Sequence, residues 1–378
     1  MRALVVIGTR PEAIKLAPLV HALAAAPGFA VHTCVTSQHT DLLTPMLTFF
    51  GLRPDFDLKV MTPGQTLAQV TTRVLQGMDE LLAAEKYDLV VVQGDTTTAF
   101  AAALAAFYRH VPVAHVEAGL RSGDLARPFP EEANRRLADV LTAYLLAPTP
   151  GARANLLAEG YPAERIFVTG NTGIDALFLA ADIVRKEARP LPIALPPGAR
   201  LALVTAHRRE SFGEGLRRIC TALTTLLDRH PDLHLLYPVH PNPNVVEATN
   251  ELLRGRPRAH LVPPLDYPDF VRALLDADVI LTDSGGVQEE APALGKRVLV
   301  MRETTERPEG IGAGAAELVG TDVERIVSRA SALLAGEGGS QPVVSPYGDG
   351  RASERIVEVL RTGALSRPFG GGQGKLTE

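Results

Sequence analysis

Cysteine is nearly missing from this 378-residue chain: Cys34 and Cys220 are the only two. They fall in what the hydropathy pattern divides into different domains, so no disulfide framework is expected and a reducing, cytoplasmic setting fits. No Cys/His group has zinc-ligand spacing, and no metal is expected. A basic excess is also lacking. Lys and Arg number 38 against 43 Asp and Glu, a formal net charge of −5. Nucleic acid is a poor partner for such a chain, because neutralising its phosphates takes an excess of cations. A small phosphorylated ligand needs only a few local cations and is still allowed. No apolar run approaches the ~20 residues of a membrane-spanning helix, so no membrane partner is expected. The opening Met1–Ile7 run is too short for a signal peptide and leads straight into Thr9-Arg10-Pro11-Glu12. The turn after it lacks the G-x-G-x-x-G spacing of a dinucleotide site, so a nicotinamide cofactor is not supported and none is expected.

What is present is an ordinary globular composition, 46% hydrophobic and 21% charged. The length suggests two domains. Short β-branched runs (Ala3–Ile7, Ala30–Val35, Leu89–Gln93, Val111–Val116, Ile166–Thr169) alternate with helical patterns over Pro18–Ala26, Leu67–Ala84 and Thr98–Arg109. Apolar strands separated by helices predict a parallel sheet covered on both faces. Four prolines between Arg189 and Gly198 interrupt the pattern, which then restarts at Leu201–Thr205, Leu233–Pro238, Val279–Thr282 and Arg297–Val300. The fold class is therefore α/β, with two Rossmann-like doubly wound domains facing a central cleft. The expected division is 1–185 and 199–355, a helix over 356–368 packing back on the N-terminal domain, and a flexible glycine-rich tail over 369–378. In open α/β sheets ligands bind at the loops that follow strands.

Several strand-end segments carry chemistry. Gly8-Thr9-Arg10-Pro11-Glu12-Ala13-Ile14-Lys15 offers Arg10 and Lys15 to a diphosphate; alternatively Arg10 simply pairs with Glu12. Asp95 follows one strand, Glu117 the next, and Glu131 and Glu132 open a helix after Pro130. Carboxylates gathered at one cleft repel, which raises at least one pKa and supplies a general acid and base. Glu132 reads as structural. Arg135, one turn after Glu131, is placed to orient it. In the second half, His207 follows a strand in Thr205–Gly213, placed to donate to a phosphate oxygen or to act as a catalytic acid, and His240 lies in Pro238-Val239-His240-Pro241-Asn242-Pro243, as a ligand contact or as a stiffener of the wall. Asp283–Glu290 turns from a strand into a helix. Ser284, Gly285 and Gly286 present backbone N–H groups to an anion, and Glu290 is placed to accept ribose hydroxyls. The competing reading is a plain cap by Asp283 or Ser284. Arg307 adds a cation, with Glu306 and Glu309 as its holders.

In their order along the chain, these segments (GTRPEAIK, QGDTTTA, HVEAGLRS, PFPEEANRR, HRRE, VHPNP, DSGGVQEEAP and TERPEG) resemble the non-hydrolysing UDP-N-acetylglucosamine 2-epimerases. The resemblance covers almost the whole chain. It implies the GT-B arrangement of two Rossmann-like domains and a homodimer. It implies UDP held by Ser284, Gly285, Gly286 and Glu290, with Phe270 near uracil and Arg10, Lys15, His207 and Arg307 on the diphosphate. It also implies Asp95, Glu117 and Glu131 as the acid/base set. The reaction implied is reversible conversion of UDP-N-acetylglucosamine to UDP-N-acetylmannosamine by loss of UDP, a 2-acetamidoglucal intermediate and re-addition, in the service of cell-envelope polysaccharide synthesis. The chain departs from the family at Ser211, at Leu265, and at Asp41 and Pro45 beyond Gln38-His39, where some members bind a second substrate molecule as activator. The competing functions are a hydrolysing epimerase, a GT-B glycosyltransferase and a sugar-nucleotide binding protein.

Overall fold

A computed structural model describes residues 1–36, 40–62, 64–337, 343, 345–364, 366 and 368–370. The Gln38-His39 pair and the tail beyond residue 370 lie outside the described residues. The chain forms two compact units, one of Met1–Ala176 together with the chain from Gly348 onward, the other of Leu177–Tyr347.

Unit 1 runs β1 (Arg2–Ile7), α1 (Arg10–Ala25), β2 (Ala30–Val35), α2 (Thr40–Phe49), β3 (Phe56–Asp57), α3 (Leu67–Ala84), β4 (Leu89–Gln93), α4 (Thr97–Tyr108), β5 (Val113–Val116), α5 (Glu131–Leu141), β6 (Tyr144–Ala147), α6 (Pro150–Ala158) and β7 (Ile166–Val168). The crossing to unit 2 falls within α7 (Thr172–Lys186). Unit 2 continues with β8 (Arg200–Thr205), α8 (Glu214–Arg229), β9 (Leu233–Pro238), α9 (Pro243–Leu252), β10 (Ala259–Val262), α10 (Tyr267–Asp276), β11 (Val279–Thr282), α11 (Gly285–Ala293), β12 (Val298–Val300), α12 (Pro308–Gly312), β13 (Ala316–Leu318) and α13 (Val323–Leu334). The last helix, α14 (Ala352–Thr362), packs on α1.

Both sheets are parallel, and each is wound in two directions from its first strand. The seven-stranded sheet has the order β3-β2-β1-β4-β5-β6-β7, and the six-stranded sheet β10-β9-β8-β11-β12-β13. In unit 1 the order reverses between β1 and β4; in unit 2 it reverses between β8 and β11. Helices leave such a strand pair toward opposite faces and open a crevice at its carboxyl end. Gly8 and Gly94 therefore flank one crevice, and Ala206 and Asp283 flank the other. Burial explains why the strands are so uniformly apolar. Every residue of Ala3–Ile7 and Leu89–Gln93 is buried, as a sheet covered on both faces requires.

Two boundaries differ from the sequence pattern for local reasons. The first helix begins at Arg10, not near Pro18, because Thr9 and Glu12 form a capping box that starts it directly after the strand, with Pro11 in its first turn. Pro18 then sits inside it. The strand expected from Val111 begins at Val113. Pro112 has no N–H to give a ladder, and the Val111 N–H instead closes the end of α4 on the Ala106 carbonyl at 2.9 Å. The short strands β3, β6, β10 and β13 were not among those read from the sequence.

Two glycines set how closely neighbours approach the crevice of unit 1. A Cβ on Gly8 would stand 2.5 Å from Thr98 Oγ1, so α4 packs against the turn itself. Gly119 has φ +85°, and a Cβ there would lie 2.4 Å from the Ala152 carbonyl. That backbone contact lets the chain after Glu117 run directly under α6.

Candidate active site

The carboxyl ends of β1, β4 and β5 open on a cavity of about 330 Å³ in unit 1, lined among others by Glu12, Lys15, Asp95, Thr96, Glu117 and Arg135. Its floor is tied down by Glu12, which the sequence offers only as a partner for Arg10. Glu12 is 2% exposed. Its Oε2 accepts the Gly8 and Thr9 N–H groups, each at 2.6 Å, and its Oε1 accepts the Thr96 hydroxyl at 2.5 Å. Burial raises the pKa of this carboxyl, and the hydrogen bonds from Thr96, Gly8 and Thr9 pull it back. Glu12 is thus committed to backbone and Thr96, and Arg10 stands exposed in the first turn of α1. A cation there is disfavoured by the helix dipole and is improved by any anion that approaches.

Lys15, one turn further along α1, places Nζ 2.7 and 2.6 Å from the two carboxylate oxygens of Glu117. Gln93 also donates to Glu117 Oε2. Glu117 has φ +71°, a left-handed conformation that L residues with a side chain seldom adopt. It is held there by the Leu146 carbonyl, which accepts the N–H groups of Glu117 and Ala118 at 3.0 and 3.2 Å. Such a conformation persists only where the surroundings over-determine it.

Asp95 takes its cation from α5. Arg135 donates to its Oδ2, and Asn134 Nδ2 to its main-chain carbonyl at 3.0 Å. Burial raises the Asp95 pKa; Arg135 opposes that and the nearby Glu117 adds to it. Two carboxylates with different balances of burial and charge are what acid and base roles require. Glu131 is half-buried at the first position of α5 and does not line the cavity. Arg135 does not orient it, contrary to the spacing argument. That guanidinium pairs with Asp95 and, at 3.3 Å, with Glu132. Glu132 is fully buried, accepts the Ser122 N–H at 3.0 Å and pairs with Arg136 at 3.1 Å, a structural role.

Unit 2 builds its crevice differently. The hydroxyls of Thr205 and Thr282 meet at 2.5 Å where β8 and β11 end, and Thr282 Oγ1 accepts the Ser284 N–H at 2.9 Å. Asp283 is fully buried, and its Oδ2 accepts the N–H groups of His207 and Arg208 at 2.6 and 2.7 Å. It buckles the two loops together and does not cap the helix. Ser284 occupies the N-cap position of α11 without a side-chain cap bond. The first turn of α11, Gly285 and Gly286, therefore keeps the anion-binding character of a helix start. Two guanidinium groups flank it. A Cβ on Gly285 would stand 3.8 Å from both Arg208 Nη2 and Arg307 Cζ.

Arg307 is held by Glu289, to which its Nε donates. The carboxylates of Glu306 and Glu309 do not bond its side chain, although the Glu306 main-chain carbonyl accepts Arg307 Nη1 at 3.3 Å. The Glu306 carboxylate pairs at 2.6 Å with the buried Arg302, whose hydrogen bond pulls the Glu306 pKa down to about 2. Tyr347 fixes the Arg307 backbone, donating to its carbonyl at 3.0 Å and accepting the Gly310 N–H at 2.8 Å.

His207 stacks on His240 with ring centroids 5.3 Å apart. Burial lowers the His207 pKa, Asp283 resists and His240 lowers it further. His240 accepts the Asn242 N–H at 3.1 Å through Nδ1, which accounts for a stiffening role in the wall. Phe270 is half-buried on α10, and Glu290 half-buried on α11. Burial pushes the Tyr267 hydroxyl well above 10 and Glu290 adds to it, which puts that carboxylate within electrostatic reach of the first turn of α10.

Of the site residues read from the sequence, Lys15, Asp95, Glu117 and Arg135 meet at one cavity. In unit 2, Gly285 and Arg307 meet at one helix start. Sequence spacing does not single out Gln93, Thr96, Arg208 or Glu289, and it offers Glu12 only as a partner for Arg10. For Glu12 a signal existed, the Thr9-x-x-Glu12 capping spacing. For the rest only the fold brings the partners together.

The protein-family model described as UDP-N-acetylglucosamine 2-epimerase matches residues 21–361. The chain is 51% identical over 375 residues to the UDP-N-acetylglucosamine 2-epimerase of Salmonella typhimurium and 50% identical over 375 residues to that of Escherichia coli K12, in each case over 97% of this chain and 100% of the relative. The solved structure of the UDP-GlcNAc 2-epimerase from Neisseria meningitidis bound to UDP-GlcNAc is similar at a TM-score of 0.86 with 40% identity, covering 96% of this chain and 100% of that one.

The Glu12 anchor predicts a stability effect. Glu12→Ala leaves two backbone N–H groups and one hydroxyl without their acceptor and should cost about 2–4 kcal/mol in urea denaturation. Glu12→Gln keeps one acceptor oxygen and should cost less than half as much. Equal losses for the two variants would show that the carboxylate is not the anchor.

Proposed function

The chain belongs to the UDP-N-acetylglucosamine 2-epimerase family, and on that premise we infer that it interconverts UDP-N-acetylglucosamine and UDP-N-acetylmannosamine without releasing free sugar. A base takes the C2 proton, the C2–H electron pair forms the C1–C2 double bond, and the C1–O bond breaks with its electrons leaving on UDP. The intermediate is 2-acetamidoglucal plus UDP. In the return step a proton is delivered to the opposite face of C2 and a β-phosphate oxygen re-adds to C1. The sequence is redox-neutral and needs no electron acceptor.

Two sets of groups are required. The leaving diphosphate calls for fixed cations and helix N–H groups. For this we assign the α11 start with Ser284, Gly285 and Gly286, together with Arg307, His207, Arg10 and Lys15; Glu290 and Phe270 serve the nucleoside. The proton transfers call for an acid and a base within reach of C2. For these we assign Asp95, Glu117 and Glu131, with Arg135 holding Asp95. The observation that carries this reading is the convergence of Asp95 and Glu117 on one cavity, each with its own cation and with Asp95 shifted upward by burial.

The partner best suited to the surface of unit 1 is a second copy of the chain. Phe107, Tyr108, Leu137 and Val140 are 48–63% exposed and lie on the neighbouring helices α4 and α5. Apolar side chains gathered on one helix pair suit a two-fold, self-complementary contact. Sedimentation velocity should give a dimer for the native chain and a monomer for the Tyr108→Glu, Val140→Glu double variant. A monomeric native chain would contradict this assignment.

The reaction is tested in heavy water with UDP-N-acetylglucosamine, following C2 by NMR. Deuterium at C2 of intact UDP-N-acetylmannosamine is the expected result. Free N-acetylmannosamine with UDP would indicate a hydrolase, and absence of exchange would remove both. Asp95→Asn should lower turnover by about 100-fold or more while UDP still binds, the range for loss of an acid/base group; undiminished turnover would remove Asp95 from the mechanism.

A further inference from the structure

Beneath the carboxylates of unit 1 lies a histidine that the proton-transfer scheme does not use. His115 is on β5, and its side chain is wholly buried. Nδ1 lies 2.7 Å from Asp139 Oδ1, and Nε2 lies 2.7 Å from the Gly94 carbonyl oxygen. A carbonyl oxygen only accepts, so Nε2 carries a proton. The Asp139 carboxylate accepts Arg121 at 2.7 Å on its other oxygen, which keeps it ionised, so Nδ1 must donate as well. A ring donating at both nitrogens is an imidazolium. Burial works against that charge, but Asp139, the Gly94 carbonyl and Glu117 outweigh it and raise the His115 pKa, while His115 and Arg121 hold Asp139 low.

The ring occupies a particular place. The carbonyl it grips belongs to the peptide that leads into Asp95. The Gly94 N–H is in turn given to the Val116 carbonyl at 3.0 Å, the residue before Glu117. Asp139 stands on α5, the helix that also sends Asn134 to the Asp95 carbonyl and Arg135 to its carboxylate. The charged groups around the ring are Asp139 from α5, and Arg121 and Glu117 from the chain after β5. Arg121 is shared with Glu159 just past α6, at 2.7 Å.

Resting on the epimerase reading above, we propose that His115 is a positioning residue for this reaction. Its doubly bonded, charged ring pins the strand end that carries Asp95 and sets a fixed positive charge beneath the Asp95 and Glu117 carboxylates. That charge favours the ionised form of the group that takes the C2 proton. A buried histidine with a purely structural role would hold the loop equally well whatever its charge, and this difference can be measured.

Two readouts separate the cases. The first does not depend on activity. In the native protein, 15N NMR of the His115 ring should report both nitrogens protonated at pH 7, as for an imidazolium raised above the usual ~6.5; a neutral ring at pH 7 overturns the proposal. The second is the pH dependence of C2 deuterium exchange in His115→Gln and Asp139→Asn. Removing the positive charge disfavours the ionised carboxylates, so the acid limb should move to higher pH by roughly half a unit to one unit. On the acid limb exchange should fall roughly three- to tenfold and recover at high pH, while UDP affinity stays within about twofold. The double variant should be no slower than the slower single variant, because both changes discharge the same ring. A drop in rate with an unmoved acid limb, or native rates throughout, overturns the proposal. If His115→Gln does not fold, Asp139→Asn and the NMR measurement decide it. Failure of the native enzyme to exchange C2 at all would instead indict the epimerase reading.

Discussion

Everything in unit 1 follows from the need to keep several carboxylates at one small cavity. Like charges brought together in a partly desolvated place repel strongly, and an unpaired one takes up a proton. For Asp95 and Glu117 the fold answers with one cation each, drawn from a different helix. Lys15 reaches Glu117 from α1, and Arg135 reaches Asp95 from α5. Those helices are in turn fixed to the strand ends they serve, α1 through Glu12 on the Gly8–Thr9 backbone and α5 through Asn134 on the Asp95 carbonyl. The unusual backbone of Glu117 belongs to the same arrangement, since it turns the side chain into the cavity and leaves its N–H bonded to Leu146.

Unit 2 uses the same winding for the opposite charge. Its strand order reverses between β8 and β11 as that of unit 1 does between β1 and β4. The residues at the reversal are the bare start of α11 with Arg208 and Arg307 beside it. Asp283 is turned inward to bind backbone N–H groups, so it organises the loops without opposing an anion, and Glu289 is taken up by Arg307. One fold therefore gathers paired carboxylates at the reversal in one unit and a helix start flanked by two guanidinium groups in the other. The difference lies in a handful of loop residues at equivalent places.

The sequence made much of this readable. Uniformly apolar runs such as Leu89–Gln93 announce strands buried on both faces, and Asp95 and Glu117 stand directly after two of them. Serial placement could not say which partner each charge would choose. Arg135 stands one turn from Glu131 yet bonds Asp95, because α5 lies across the end of β4. Glu306 adjoins Arg307 in sequence yet pairs with Arg302, and Arg307 goes to Glu289 on another helix. Asp283 reads as a helix cap until the β8 loop is beside it. The His115–Asp139 pair is hidden for the same reason: 24 positions separate its members, and only the packing of α5 on the sheet brings them together.

The central claim is that the C1–O bond breaks while the carboxylates of unit 1 work on C2. The most direct measurement uses UDP-N-acetylglucosamine carrying 18O in the bridge between C1 and the β-phosphorus, followed by 31P NMR during turnover. Cleavage and re-addition predict that the label spreads from the bridge to the non-bridging β-phosphate oxygens as epimerisation proceeds. Inversion at C2 with the label left entirely in the bridge would contradict the account.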